Sequence, residues 1–237
     1  MNPPTNSPAR SLQRTARQAG FVYLLILFLA PLSEFLLKAR FVVAGDAAAT
    51  AARITAEPVL YRLWLLTDLV SGGVFLGLVL LLYALFRNVD RRQARLMLGL
   101  VFTAVGISMI STVCRTAPLL LLGPEDYLAA FAPPQREALV MVFIRLAGSA
   151  TVLATFFWGF WLVPFGRLVL VSRFYPRFLG VLLIIGGVTY VALGCVNLVL
   201  PAYGPFFFKF GMPFYAAGEL GIIFWLLFAT ARVPDTA

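Results

Sequence analysis

The stretch 59-VLYRLWLLTDLVSGGVFLGLVLLLYALF-86 decides the fold, because it is almost wholly apolar and contains only two charged residues, Arg62 and Asp68. It is longer than the roughly 20 residues with which an α-helix crosses the hydrocarbon core of a bilayer. A short basic turn, RNVDRR at positions 87–92, follows it, and a second apolar stretch comes next. The pattern predicts a transmembrane helix whose chain turns back into the membrane.

The rest of the chain has the same character. Of its 237 residues, 61% are hydrophobic and 12% are charged, whereas soluble proteins have about 45–50% apolar and about 25% charged residues. This composition predicts an all-α, polytopic membrane bundle of six transmembrane helices in one domain over residues 20–231. A disordered cytoplasmic tail (1–19) and a short cytoplasmic tail (232–237) are expected to flank it. The predicted spans are Gly20 to Leu37, Val59 to Phe86, Leu96 to Leu119, Ala138 to Val163, with an end blurred by Pro164, Phe178 to Leu200, and Met212 to Ala231.

The first span has an alternative interpretation as a secretory signal peptide, with Val-Ala-Gly at 43–45 as a cleavage site. Its apolar stretch is longer than the usual signal core of about 7–15 residues and contains Pro31 and Glu34, which favours a retained helix. After it, Asp46 is placed to cap a short amphipathic external helix, Ala47 to Ala56, before Pro58.

The charges give the predicted bundle a direction. The net charge is +9, from 19 cations and ten anions. If both termini lie in the cytoplasm, eleven cations and two anions fall on the cytoplasmic side, and the outer half is neutral with eight of each. This is the positive-inside pattern of a multi-span membrane protein, and it makes anionic inner-leaflet lipids the expected partner of the arginine rims at 87–95 and 167–177. The net charge therefore does not indicate nucleic-acid binding.

Two residue types exclude common chemistries. Histidine is absent, which removes the commonest zinc ligand and the usual general base. The two cysteines, Cys114 and Cys195, lie in separate apolar stretches and form no metal-binding pattern. We expect no metal, no cofactor and no disulfide.

Ionisable residues inside the predicted spans are the strongest functional signal. Each costs at least about 2.5–3.5 kcal/mol at the centre of a bilayer, so each needs a partner. All lie in the outer half, and the three cations balance the three carboxylates; the six are Glu34, Arg62, Asp68, Arg115, Arg145 and Glu219. Asn197 adds a polar group to span five. The set predicts a polar cavity open to the outside, and the alternative is a purely structural set of ion pairs.

Small residues predict close helix approach. Gly72-Gly73-xxx-Gly77 and Gly218-xx-Gly221 have the spacing of helix-packing motifs. None of them opens a strand-to-helix loop, so a phosphate-cradling role is not indicated.

Several motifs resemble a known family. The stretch from Gly45 to Ile54, GDAAATAARI, followed by Leu60-Tyr61-Arg62 and Asp68, resembles the signature region of the bacterial integral-membrane family called domain of unknown function 4386. Weaker matches are Tyr175 to Gly180 and Glu219 with Trp225-Leu226-Leu227. The resemblance implies a six- or seven-helix inner-membrane protein without an established activity. It also implies that Asp46, Arg62 and Asp68 belong together to one external loop and the span that follows it.

Three functions are compatible with these residues. The leading hypothesis is binding or transport of a small polar or amphipathic molecule with an anionic headgroup, since arginine suits carboxylate and phosphate. The alternatives are an intramembrane enzyme that acts on a lipid or isoprenoid through a buried carboxylate, and a structural or regulatory subunit. The candidate ligand-binding residues are Glu34, Asp46, Arg62, Asp68, Arg115, Arg145, Asn197 and Glu219.

Overall fold

Six long helical runs and one short helix make up most of the described chain. The computed structural model describes residues 8–124 and 126–228. The six runs are long and apolar enough to cross a membrane: Arg10–Phe41, Pro58–Phe86, Arg91–Leu121, Pro133–Ser172, Arg177–Val199 and Pro201–Phe228. The short helix, Ala47–Ala56, lies between the first two runs. The predicted all-α class and the six candidate spans are thus confirmed, whereas the predicted end of span six and the C-terminal tail lie outside the described residues.

The elements follow one another along the chain with short connections. The helices are α1 (Pro8–Pro31), α2 (Lys38–Phe41), α3 (Ala47–Ala56), α4 (Pro58–Phe86), α5 (Arg91–Leu121), α6 (Pro133–Phe160), α7 (Leu162–Ser172), α8 (Arg177–Val199) and α9 (Gly204–Phe228). A π-helical segment (Leu32–Leu37) joins α1 to α2, and 3₁₀ turns occupy Asp126–Ala130 and Pro201–Tyr203.

The first helix begins earlier than the sequence predicts. It starts at Pro8, so the described part of the expected disordered tail is helical. Proline is tolerated in the first turn of a helix, where its missing N–H has no intrahelical partner to lose. Ala16, Ala19 and Tyr23 are buried along one face, and the Cα of Gly20 lies against the side chains of Leu226 and Leu227. This packed face extends the helix beyond the apolar stretch.

Pro164 does not end the fourth run. The backbone N–H of Phe165 donates to the carbonyl of Trp161 over 3.2 Å, so helical bonding continues from α6 into α7 across a local break. A proline inside a helix removes one hydrogen bond and kinks the axis rather than always stopping the helix. The run therefore reaches Ser172, nine residues beyond the predicted end at Val163.

The described chain forms two compact units. Unit 1 contains residues 8–25, 74–104 and 154–228, and unit 2 contains Ile26–Gly73 and Val105–Leu153. The core of unit 2 is aromatic and aliphatic; its buried members are Phe41, Ile54, Tyr61, Trp64, Val140 and Ile144. The prediction of a single domain stays a prediction.

Glycines set the helix packing inside unit 1. A Cβ added to Gly166 of α7 would lie 2.5 Å from the carbonyl oxygen of Gly180 on α8, and one added to Gly159 would lie 2.5 Å from that of Gly187. Such distances mean that the backbones of α6 and α7 touch that of α8, which only glycine permits. Gly218 is similarly close to a carbonyl, that of Leu182. By contrast, Gly73 and Gly77 have open space at the Cβ position, so their predicted packing role is not confirmed.

Candidate functional site

A buried arginine lies at the centre of a charged cluster in unit 2. Arg115, on α5, has a side chain only 5% exposed. Its Nη1 donates to Asp68 Oδ2 on α4 over 2.5 Å, and its Nη2 donates to Glu34 Oε1 in the π-helical segment over 2.8 Å. We call Glu34, Asp68 and Arg115 the charged triad. One cation and two carboxylates hold three helical elements together.

Three further side chains, those of Ser33, Trp64 and Tyr61, extend the hydrogen bonding of the triad. Ser33 Oγ donates to Asp68 Oδ1 and accepts from the indole Nε1–H of Trp64 over 2.9 Å. The guanidinium carbon of Arg115 lies 4.8 Å from the centroid of the Trp64 ring, a distance suited to a cation–π interaction. Tyr61 donates its hydroxyl to the backbone carbonyl of Arg115 over 2.8 Å. Every polar group around the guanidinium therefore has a partner.

The two carboxylates of the triad differ in accessibility. The Asp68 side chain is 11% exposed and is held by both Ser33 and Arg115, whereas the Glu34 side chain is 25% exposed. The second oxygen of Glu34 lies 3.6 Å from the ammonium group of Lys38, whose side chain is 43% exposed. With Lys38 included, the cluster has no net charge. Glu34 is the member of the triad that has contact both with the buried cation and with the surface.

The first helical run changes its geometry at this cluster. Pro31 is followed by six π-helical residues, Leu32–Leu37, which carry both Ser33 and Glu34. Proline lacks the N–H of a regular helical bond, and a wider turn is one way in which the backbone accommodates it. Segments of π-helix are rare and are frequent at functional sites. The local backbone thus places two consecutive polar side chains in one network.

The energetics show why these residues stay together. Removing one partner of a buried ion pair costs about 3–5 kcal/mol, because the other charge is left uncompensated in a low-dielectric environment. A carboxylate–arginine pair with additional hydrogen bonds satisfies both groups. The triad therefore meets the requirement that charged residues on spanning helices neutralise one another.

The other predicted residues of unit 2 lie apart from the triad. The carboxylate of Asp46 accepts a hydrogen bond of 2.8 Å from the backbone N–H of Ala49 and caps α3, as the sequence predicts. Arg62 and Arg145 are exposed, although their neighbours Tyr61 and Ile144 are buried. Asp46 lies in the connection before α3, and Arg62 and Asp68 both lie on α4, the next long helix.

Two predicted residues belong to unit 1. Asn197, near the end of α8, has its side chain against Gly204 at the start of α9. Glu219, on α9, accepts a hydrogen bond of 3.0 Å from the hydroxyl of Tyr23, and the hydroxyl of Tyr190 lies close to the same carboxyl group. The rings of Tyr190 and Tyr215 stack beside it, with centroids 4.3 Å apart. The neighbours of the Glu219 carboxyl group are thus tyrosine side chains.

A groove lies at the junction of α2 and α3. It has a volume of about 310 Å³ and is lined by Ala39, Arg40, Phe41, Arg53, Ala56 and Glu57. Arg40 forms an ion pair with Glu57, and the guanidinium beside this carboxylate lowers its pKa. Arg53 donates to the backbone carbonyl of Arg40 over 3.2 Å, which satisfies the end of α2. Within the described ranges, no group of three or more His, Cys, Asp or Glu side chains is placed to hold a metal ion.

Sequence reasoning missed the neutral members of the cluster. Ser33 and Trp64 carry no charge, so a search for intramembrane charges does not select them. Two signals were present in the sequence: Ser33 directly precedes Glu34, and Trp64 lies four residues before Asp68, on the same helical face.

A comparison with family models agrees with the resemblance. The model described as domain of unknown function (DUF4386) matches residues 18–229, which is most of the chain. No curated protein and no solved structure matches. Because the family match includes most of the chain and at least part of each of the six candidate spans, the chain belongs to the DUF4386 family and is a multi-span membrane protein of this family.

Proposed function

We propose that the protein binds or transports a small polar or amphipathic molecule with an anionic headgroup, and that Arg115 is the residue that receives the headgroup. The observation that carries this proposal is that the two carboxylates paired with the buried guanidinium of Arg115 are not equally held. Asp68 is held by a second donor, Ser33, whereas Glu34 is more exposed and has an alternative cation in Lys38. In the proposed binding step, the anionic headgroup replaces Glu34 on Nη2 of Arg115.

The charges favour such an exchange. When Glu34 leaves Arg115, the carboxylate retains Lys38, which lies four residues further along the same helical run. The guanidinium exchanges one charge-assisted hydrogen bond for another of the same kind, so neither ion is left alone. Arginine suits this role because its planar guanidinium donates hydrogen bonds from two terminal nitrogens in fixed directions, here Nη1 to Asp68 and Nη2 to the headgroup.

The backbone at Glu34 also supports the exchange. The π-helical segment Leu32–Leu37 carries Glu34 directly after Pro31. Helical segments with irregular hydrogen bonding rearrange at lower cost than a regular α-helix, and they recur at binding sites in membrane proteins. We propose that this segment lets Glu34 move between Arg115 and Lys38.

We further propose an orientation in a bacterial inner membrane. The charge asymmetry of the sequence favours both termini in the cytoplasm, with the triad in the outer half and open to the outside. The arginine rims are proposed to contact anionic lipids of the inner leaflet; their members Arg87, Arg91, Arg92, Arg95, Arg167, Arg173 and Arg177 are all exposed. Arg62 and Arg145, exposed on spanning helices, are proposed to contact lipid headgroups.

A thermal-shift titration of the purified protein tests the proposed site. In dodecyl maltoside, dodecyl phosphate is expected to raise the melting temperature, whereas dodecyltrimethylammonium is not. Glu34→Gln removes the competing carboxylate and should bind dodecyl phosphate more tightly than the wild type. Arg115→Lys should bind it more weakly, because a single ammonium group lacks the two nitrogens, fixed in one plane, with which the guanidinium holds Asp68 and the headgroup at once.

Glu57→Gln is the matched control, since Glu57 is a carboxylate of the same unit that pairs with Arg40 instead of Arg115. Its dodecyl phosphate affinity should equal that of the wild type. If Glu34→Gln lowers the stability without increasing the affinity for the anionic amphiphile, the triad is structural and the proposal fails. Turnover of a membrane lipid that is lost in Asp68→Asn would instead support the enzymatic alternative.

A further inference from the structure

Glu219 is a carboxyl group of unit 1 that the proposed ligand site does not use. It lies on α9 and is partly buried. Tyr23, from α1, donates its hydroxyl to Glu219 Oε2 over 3.0 Å, and the hydroxyl of Tyr190, from α8, lies close to the same carboxyl group. Hydroxyl groups from two other helices therefore converge on one carboxyl group.

Among the described residues, the titratable groups that face Glu219 are phenols. They are Tyr23 from α1, Tyr190 from α8 and Tyr215 from its own helix. Within the described ranges, no lysine or arginine forms an ion pair with Glu219. Ile222 and Ile223, the next turn of α9, are buried apolar residues. Its surroundings thus offer hydrogen bonds and no positive charge.

The triad of unit 2 provides the contrast within the same chain. Glu34 and Asp68 both receive hydrogen bonds from the guanidinium of Arg115, and with Lys38 beside Glu34 the two carboxylates are matched by two cations. An ionised carboxylate without such a cation is strongly disfavoured in apolar surroundings, and the group becomes neutral by taking up a proton. A protonated carboxyl group still accepts hydrogen bonds from tyrosines and gains one O–H of its own to donate.

We propose that Glu219 is a proton-binding site within the spanning region, with Tyr23 and Tyr190 as the hydroxyl groups that hold the carboxyl group in place. The ligand is a proton, which needs no cavity and fits a carboxyl group already in contact with two hydroxyls. Intramembrane carboxyl groups of this kind serve as proton relays in pumps and transporters. The inference stands without the proposed function, because it rests on other residues in the other unit.

Labelling with dicyclohexylcarbodiimide tests the proposal on the full chain in membranes. This apolar reagent adds to a carboxyl group that carries a proton, and the proton moves to a nitrogen of the reagent as the new C–O bond forms. Peptide mass spectrometry should find the adduct on Glu219, with Glu34 and Asp68 as internal controls at background. The adduct should be lost when the pH is raised, since the ionised group does not react.

Glu219→Gln should abolish this adduct and also the infrared C=O stretching band of a protonated carboxylic acid. If the Glu219→Gln variant fails to fold, the position of the adduct in the wild-type protein, found by peptide mass spectrometry, tests the proposal without the variant. Absence of the adduct on Glu219, or equal labelling of Glu34 and Asp68, overturns the proposal. Protection of Glu219 by sodium ions at constant pH also overturns it, because it would make the site one for a metal cation.

Discussion

Ser33 shows how a small neutral side chain joins two larger groups. Its hydroxyl donates to Asp68 and accepts from Trp64, so it completes the network beside Arg115. Ser33→Ala should therefore lower the free energy of unfolding by about 1–3 kcal/mol, because it leaves a buried carboxylate oxygen and an indole N–H without partners. Thermal unfolding in dodecyl maltoside measures the change.

Thr67→Ala is the matched control for this prediction. The Thr67 hydroxyl bonds only to the carbonyl of Leu63 in its own helix, so its loss should change the free energy of unfolding by no more than about 0.5 kcal/mol. If the two substitutions lower the free energy of unfolding equally, the hydrogen bonds of Ser33 to Asp68 and Trp64 stabilise the protein no more than the hydroxyl of Thr67 does.

At the scale of single residues, the sequence predicts the charged members of the site but not the neutral side chains that bond to them. Glu34, Asp68 and Arg115 are identifiable because a charge on a spanning helix requires neutralisation. Arg62 could have been separated from Asp68 by periodicity, since six residues correspond to a rotation of about 600°, which places the two on different helical faces. Ser33 could not be assigned to Asp68, because their pairing depends on how two helices are packed and rotated.

The packing of α7 on α8 depends on paired glycines. Gly166→Ala would bring a Cβ to 2.5 Å from the carbonyl oxygen of Gly180 and force the two backbones apart. Overpacking of this kind costs about 1–3 kcal/mol. The free energy of unfolding of the variant in detergent should fall by that amount.

Gly77→Ala is the comparison for Gly166→Ala, because the Cβ position of Gly77 has nothing within 4 Å. Alanine has the higher helix propensity, so this variant should be neutral or more stable by up to about 1 kcal/mol. A larger loss for Gly77→Ala than for Gly166→Ala would contradict the packing described here.

At the scale of secondary structure, the helical runs could be predicted from the sequence where hydrophobicity alone determines their position. Each of the six spans overlaps an observed run, because a spanning helix requires a long apolar stretch. The sequence predicts neither the start at Pro8 nor how far the fourth run continues past Pro164, since both depend on packing in unit 1. The π-helical segment could not be predicted either. Pro31 indicates that the regular helical hydrogen bonding is interrupted, but whether the backbone then forms a π-helix depends on tertiary packing.

At the scale of the whole molecule, the charge distribution predicts which ends of the helices face the cytoplasm. Single cysteines at two exposed positions, Ala44→Cys and Asn88→Cys, test this in a background of Cys114→Ala and Cys195→Ala. A membrane-impermeant maleimide added to intact cells should label position 44 and not position 88. Permeabilised cells, in which both should react, are the control, and the reverse pattern in intact cells would contradict the proposed orientation.

The central claim is that an anionic headgroup replaces Glu34 on Arg115. An experimental density map of the protein in nanodiscs, with and without dodecyl phosphate, tests it most directly. The account predicts headgroup density within hydrogen-bond distance of Arg115 Nη2, with Glu34 turned to Lys38 and Asp68 unmoved. A map that retains both carboxylates on Arg115 at saturating dodecyl phosphate, with headgroup density elsewhere or nowhere, would contradict it.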